Sequence, residues 1–109
     1  MIWKPVCKLS DMEPSRGKYA EVGSACLALF LNDGRVYAMD NACPHAGANL
    51  AGGYIEDGCA VCPKHNWPFR LDDGQLRDSP GVHVQTYSVR LVENLAGEKV
   101  VEVFVPEQS

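Results

Sequence analysis

No apolar run in this sequence exceeds the seven residues Ala25–Leu31, against the roughly 20 needed to cross a bilayer as a helix. The opening Met1-Ile2-Trp3-Lys4-Pro5 also lacks the charged-then-apolar pattern of an export signal. No membrane association is therefore expected, and the location is read as cytoplasmic. Basic charge is scarce too: 10 Lys+Arg stand against 14 Asp+Glu, a net charge of −4, with no basic cluster. A nucleic-acid partner is not expected from such a chain. Histidine is rare, with three residues, and cysteine occurs as an odd five. In the absence of an export signal, that odd number points to a reducing compartment and metal binding rather than a disulfide framework. No Ser-His-Asp set, carboxylate pair with an evident site or phosphate-cradling glycine loop is visible, so independent catalysis is not expected.

Helical periodicity is the remaining absence: no 3.6-residue apolar period persists for three turns. What is present is a series of short runs rich in Val, Leu, Tyr and Phe, separated by turn signals, over a length of 109 residues. This reads as one all-β domain, residues 1–109. Strands are predicted near Trp3–Lys8, Tyr19–Val22, Ala25–Leu31, Val36–Asp40, Cys59–Val61, Trp67–Arg70, Val82–Arg90 and Val100–Val105. Asp33-Gly34, Asp57-Gly58 and Asp73-Gly74 supply tight turns because glycine tolerates positive φ. Ser10 and Glu13 have the spacing of a capping box, but Pro14 limits any helix there to a single turn. Asn41–Gly53, 62–66 and 78–81 read as loops, which makes residues of about 41–80 look like an insertion between outer strands.

Two of these loops hold Cys43-Pro44-His45 and Cys62-Pro63-Lys64-His65, with sixteen residues between His45 and Cys62. Cysteine and histidine together are metal-binding chemistry. A zinc-stapled Cys2His2 module without a redox role is one reading, although zinc motifs usually group the cysteines together and the histidines together. One cysteine and one histidine per loop suits a binuclear centre, in which both cysteines bind one iron, both histidines the other, and sulfides bridge the two.

The segments Cys43-Pro44-His45-Ala46-Gly47 and Cys62-Pro63-Lys64-His65 resemble, in order and spacing, the signature of the Rieske [2Fe-2S] family. Val36–Asp40, Trp67–Leu71, Asp73-Gly74 and Pro80-Gly81 are similar to the usual surroundings of that signature. The resemblance implies a Rieske-like fold of small antiparallel sheets with an inserted cluster-binding subdomain at about 41–80. It also implies one [2Fe-2S] cluster per chain on Cys43, His45, Cys62 and His65, covered by the loop at 78–81. The function implied is one-electron transfer. Two ferric ions, two sulfides, two thiolates and neutral imidazoles sum to a neutral oxidised core, whereas a four-cysteine cluster starts doubly negative. Histidine ligation therefore makes reduction easier.

Members of the family in cytochrome bc complexes carry an extra cysteine in each loop, together with a serine and a tyrosine that donate hydrogen bonds to cluster sulfur. At those positions this sequence has Ala48, Lys64, Trp67 and Phe69. The resemblance is thus to the soluble Rieske-type ferredoxins, with a potential in the lower part of a range of roughly −150 to +300 mV. Within that group the chain is similar both to the ferredoxin component of ring-hydroxylating dioxygenase systems and to the small subunit of NAD(P)H-dependent nitrite reductase. Trp3–Cys7, His65-Asn66-Trp67 and Pro80–Val84 incline it toward the second. The implied partners are an NAD(P)H-dependent reductase and a terminal oxygenase or nitrite reductase large subunit.

The other chemically distinctive residues have plainer readings. His83 is expected at the surface, and Cys7 and Cys26 as small buried hydrophobes. Strand alternation directs Cys59 to the face opposite Cys62, away from the ligand set. Gly47 and Gly53 are expected at positive φ, while Trp67 either shields the cluster or opens a strand.

Overall fold

A computed structural model describes residues 1–42, 49–64, 66–79 and 81–106. Ten strands occur among them: β1 (Ile2–Lys8), β2 (Lys18–Val22), β3 (Ala25–Asn32), β4 (Arg35–Asp40), β5 (Tyr54–Glu56), β6 (Cys59–Val61), β7 (Pro68–Arg70), β8 (Thr86–Tyr87), β9 (Val89–Glu93) and β10 (Lys99–Val105). They form three antiparallel sheets, with orders β1-β10-β9, β2-β3-β4-β8 and β5-β6-β7. The expected all-β class of small antiparallel sheets is what the chain adopts.

The long apolar run of β3 is explained by burial on both faces. Its Leu27 and Leu29 join Ala38 of β4 and Val101, Val103 and Val105 of β10 in one core. The alternate residues Ala28 and Phe30 join Met39, Leu50, Ala60, Cys62 and Phe69 in a second core, on the side of the β5-β6-β7 sheet. The four-stranded sheet is thus the middle layer, and the period-2 alternation of β3 distributes its side chains between the two cores. Burying each large side chain of this strand contributes about 1.5–3 kcal/mol.

The tight turns form where aspartate and glycine predict them. Asp33 and Gly34 have φ of 52° and 78°, and Asp57 and Gly58 have 51° and 74°, the pair of positive values that suits a two-residue hairpin. Asn32 accordingly pairs with Arg35, and Glu56 with Cys59. Gly74 also has positive φ, at 75°, and the adjacent Asp73 Oδ1 accepts a 2.9 Å bond from the Gln75 amide.

Several expectations are corrected. The run Val82–Arg90 is two strands, because β8 pairs with β4 while β9 pairs with β10, and Ser88 bridges the change of sheet by accepting from the Phe104 amide. Tyr54–Glu56 is a strand that the alternation did not reveal, too short at three residues to show a period. The single turn near Ser10 is a 3-10 turn over Leu9–Asp11. Its cap is made by Asp11 Oδ2, which accepts from the Lys8 amide at 3.2 Å, two residues earlier than the Ser10–Glu13 spacing predicts. Cys26 is exposed and Cys7 half-buried. Cys26 shares the face of Ala28 and Phe30, but the core on that side does not reach this end of β3. Gly53 has φ −88° rather than a positive value. Its requirement is steric, since a Cβ there would collide with the Val61 carbonyl.

Candidate metal centre

Of the four expected ligands, Cys62 is described, while Cys43, His45 and His65 lie outside the described residues, as does Gly47. Cys62 follows β6 directly and is fully buried. Its amide donates to the Trp67 carbonyl at 2.9 Å, which closes residues 62–67 into a turn between the paired residues Val61 and Pro68. Asn66, at φ 54°, completes the reversal, a conformation that asparagine tolerates better than most residues. Pro63 and Lys64 are exposed at the apex.

The chain enters the first loop from the end of β4. Asn41 donates its amide to the Cys26 carbonyl at 2.9 Å, and its own carbonyl accepts from the Leu50 amide at 2.8 Å. Asn41 Oδ1 accepts from the Ala51 amide at 2.8 Å, and Ala42 bridges to Asn49. Asn41 and Ala42 are therefore neighbours of Asn49–Ala51. The chain just after them lies beside the second loop, because Pro63 Cγ stands 3.8 Å from the position a Cβ on Gly52 would take. Leu50, Ala51 and Cys62 share one core cluster. The bases of the two Cys-His loops thus converge, and the donor set fits a group bound between them.

The stretch of sequence that carries the two loops is short of charge. From Ala42 to Phe69 the only carboxylates are Glu56 and Asp57, on the hairpin turn of β5 and β6 at the end remote from Cys62. Lys64 is the only Lys or Arg in that stretch. Trp67, Pro68, Leu76, Arg77, Ser79 and Val82 line a shallow hollow beside the second loop. The chain beyond this hollow is pinned by the Arg77 amide to the Pro68 carbonyl at 2.9 Å and by Leu76 to Val82 at 2.8 Å. Trp67 is half-buried and packs against the same core as Cys62, one position before the strand β7.

Cys59 is buried, with its thiol pushed up by desolvation while Arg77 and Arg70 pull it down. It lines a cavity with Asn32, Tyr37 and Asp57, whereas Cys62 packs with Leu50 and Phe69. His83 is exposed and bridges to Gln75. The one contributor that sequence reasoning passed over is Asn41, whose signal was its place at the head of a glycine- and proline-rich loop, where asparagine commonly ties its side chain to nearby amides.

A family model described as the Rieske [2Fe-2S] domain matches residues 2–100. A cholesterol 7-desaturase from Hemicentrotus pulcherrimus is 38% identical over 80 residues, which are 72% of this chain but only 17% of that protein. The chain thus spans about a sixth of that larger relative. Among solved structures, one described as an NADH-dependent nitrite reductase small subunit from Mycobacterium tuberculosis is 30% identical with a TM-score of 0.80, covering 96% of this chain and 97% of that one. A chain from a complex of reduced oxygenase and oxidized ferredoxin in carbazole 1,9a-dioxygenase is 31% identical with a TM-score of 0.74, covering 90% and 99%.

Proposed function

Since the chain belongs to the Rieske [2Fe-2S] domain family, we propose that it is a one-electron carrier whose cluster is held by Cys43 and Cys62 on one iron and by His45 and His65 on the other. The observation that supports this ligand set is the convergence of the two loop bases on the buried Cys62, with Gly52 packed beside Pro63. Family membership sets the zinc-stapled alternative aside. When bound, the cluster supplies a couple between a neutral core and a singly negative one.

The chain's own residues do the rest. The core packed around Cys62 excludes water from the thiolate side, while Pro63 and Lys64 present the opposite side to a partner. Phe69 is fully buried in that core and offers no hydroxyl to sulfur, which favours the oxidised state. Residues 41–80 act as the cluster-binding subdomain on a frame made by the two remaining sheets. No helix among the described residues is long and apolar enough to cross a membrane.

The partners that fit are an NAD(P)H-dependent reductase as donor and a terminal oxygenase or a nitrite reductase large subunit as acceptor. Of the two structural relatives, one is from a complex of an oxygenase with its ferredoxin and the other is described as a nitrite reductase small subunit. The test is to reduce the purified protein anaerobically and record its paramagnetic resonance with its iron and sulfide content. A Rieske-type signal with two irons and two sulfides per chain is expected. Stoichiometric zinc with no signal would overturn the proposal.

A further inference from the structure

The two Cys-His loops are closed by different means. Residues 62–67 connect β6 to β7, which are already paired through Val61 and Pro68, so one main-chain bond, from the Cys62 amide to the Trp67 carbonyl, completes the turn. The chain ahead of the first loop is β4, whereas the chain after it enters a 3-10 turn, Leu50–Gly52, which is not a strand of the same sheet. Among the described residues, the main-chain pairing at the base of this loop is the single Ala42–Asn49 bridge. Asn41 compensates. Its main-chain amide is fixed to β3 through the Cys26 carbonyl, its main-chain carbonyl takes the Leu50 amide, and its Oδ1 takes the Ala51 amide. Two consecutive amides beyond the loop are thereby tied to one residue before it. The preceding residue is gripped separately, since the Asp40 amide donates to the Gln85 carbonyl and Asp40 Oδ1 accepts from the Tyr87 hydroxyl.

From this geometry we infer that Asn41 is a positioning residue for the cluster. Its side chain closes the first loop, so that the segment carrying Cys43 and His45 meets the incoming irons with its ends already joined. Closing a loop costs chain entropy, and a side chain that holds the ends together removes that cost from the binding step. The inference rests on the ligand set proposed above. Asparagine suits the task because it is an uncharged acceptor of the right reach. Leucine has the same shape without the acceptor, and aspartate keeps the acceptor.

The experiment uses the cluster-loaded protein and its Asn41→Leu and Asn41→Asp variants. The readouts are cluster loss to an iron chelator, hydrogen exchange at the Ala51 amide, and the resonance spectrum of the reduced protein. Asn41→Leu is expected to lose its cluster about tenfold faster, the weight of one hydrogen bond, and to exchange the Ala51 amide faster. The spectrum of its loaded fraction should also shift, which a purely structural role would not produce. Asn41→Asp should restore Ala51 protection and slow cluster loss again. If Asn41→Leu does not accumulate as folded protein, Asn41→Ser, too short to reach the Ala51 amide, is read in its place with the same expectation. A loaded wild type whose Leu or Ser variant matches it in all three readouts overturns this inference alone, whereas a wild type that takes up no iron overturns the ligand set beneath it.

Discussion

The Tyr87 hydroxyl donates a 2.6 Å hydrogen bond to Asp40 Oδ1, across 47 residues of sequence. It joins β8 to the last residue of β4, immediately ahead of the first Cys-His loop. Burial, the hydrogen bond and the Asp40 charge all push the phenol well above its ordinary value of 10.0. The folded state therefore holds this proton when the unfolded state has begun to release it. Stability from the pair is fully present below about pH 10 and declines as pH rises toward the folded value. Tyr87→Phe is expected to cost about 1–3 kcal/mol at neutral pH and to flatten the alkaline arm of the stability curve. Urea titrations at neutral and alkaline pH check both, and an unchanged alkaline slope would contradict the assignment.

Replacing His45 or His65 by alanine should abolish the Rieske spectrum, while His83→Ala should leave it intact, because His83 is exposed and bridged to Gln75. Optical and resonance spectra of the three variants decide this. Cluster removal should also lower the thermal midpoint, since ligand binding to the folded state alone contributes folding free energy.

Phe69→Tyr is expected to raise the reduction potential, because a hydroxyl donated to cluster sulfur stabilises the more negative reduced core. Phe69 is fully buried in the core that contains Cys62, so an unsatisfied hydroxyl there would be costly. Voltammetry on both proteins is the measurement, with a wild-type value in the lower part of the roughly −150 to +300 mV range. A potential that does not rise in a loaded variant would show that position 69 does not reach the sulfur.

Lys64 is exposed at the apex of the second loop and is the only Lys or Arg between Ala42 and Phe69. Lys64→Glu should slow electron transfer to a partner with an acidic docking face, most strongly at low salt, because exposed charges act chiefly on encounter. Stopped-flow rates across a salt series test it, and equal rates at low salt would place docking elsewhere.

Gly53→Ala should destabilise the protein by about 2 kcal/mol or more, the range for steric conflict in a packed interior. The added methyl would meet the Val61 carbonyl, one residue before Cys62, with the Leu50 carbonyl close by. Thermal unfolding would show the loss, and a wild-type midpoint would refute the close approach.

Local chemistry made much of this protein legible from its residues. Aspartate followed by glycine dictates the turns at 33–34 and 57–58 because positive φ is a property of those residues themselves. The two-sided apolar run of β3 and the alternation of β10 likewise state that they are buried strands, and the spacing of Cys43, His45, Cys62 and His65 carries the family signature, which the match to the Rieske [2Fe-2S] domain bears out. What needed the tertiary structure is whatever depends on a distant partner. Val82–Arg90 has one continuous pattern, yet it divides because Tyr87 finds Ala38 and Val89 finds Val103. Cys26 looks like a core residue until the edge of the core is located. Gly53 is required by a carbonyl eight residues away rather than by its own φ, and Asn41 is an ordinary loop residue until folding brings the Ala51 amide to its side chain. Intrinsic conformational preference is carried by single residues and short patterns, whereas steric exclusion and hydrogen-bond partnership exist only once two segments have met.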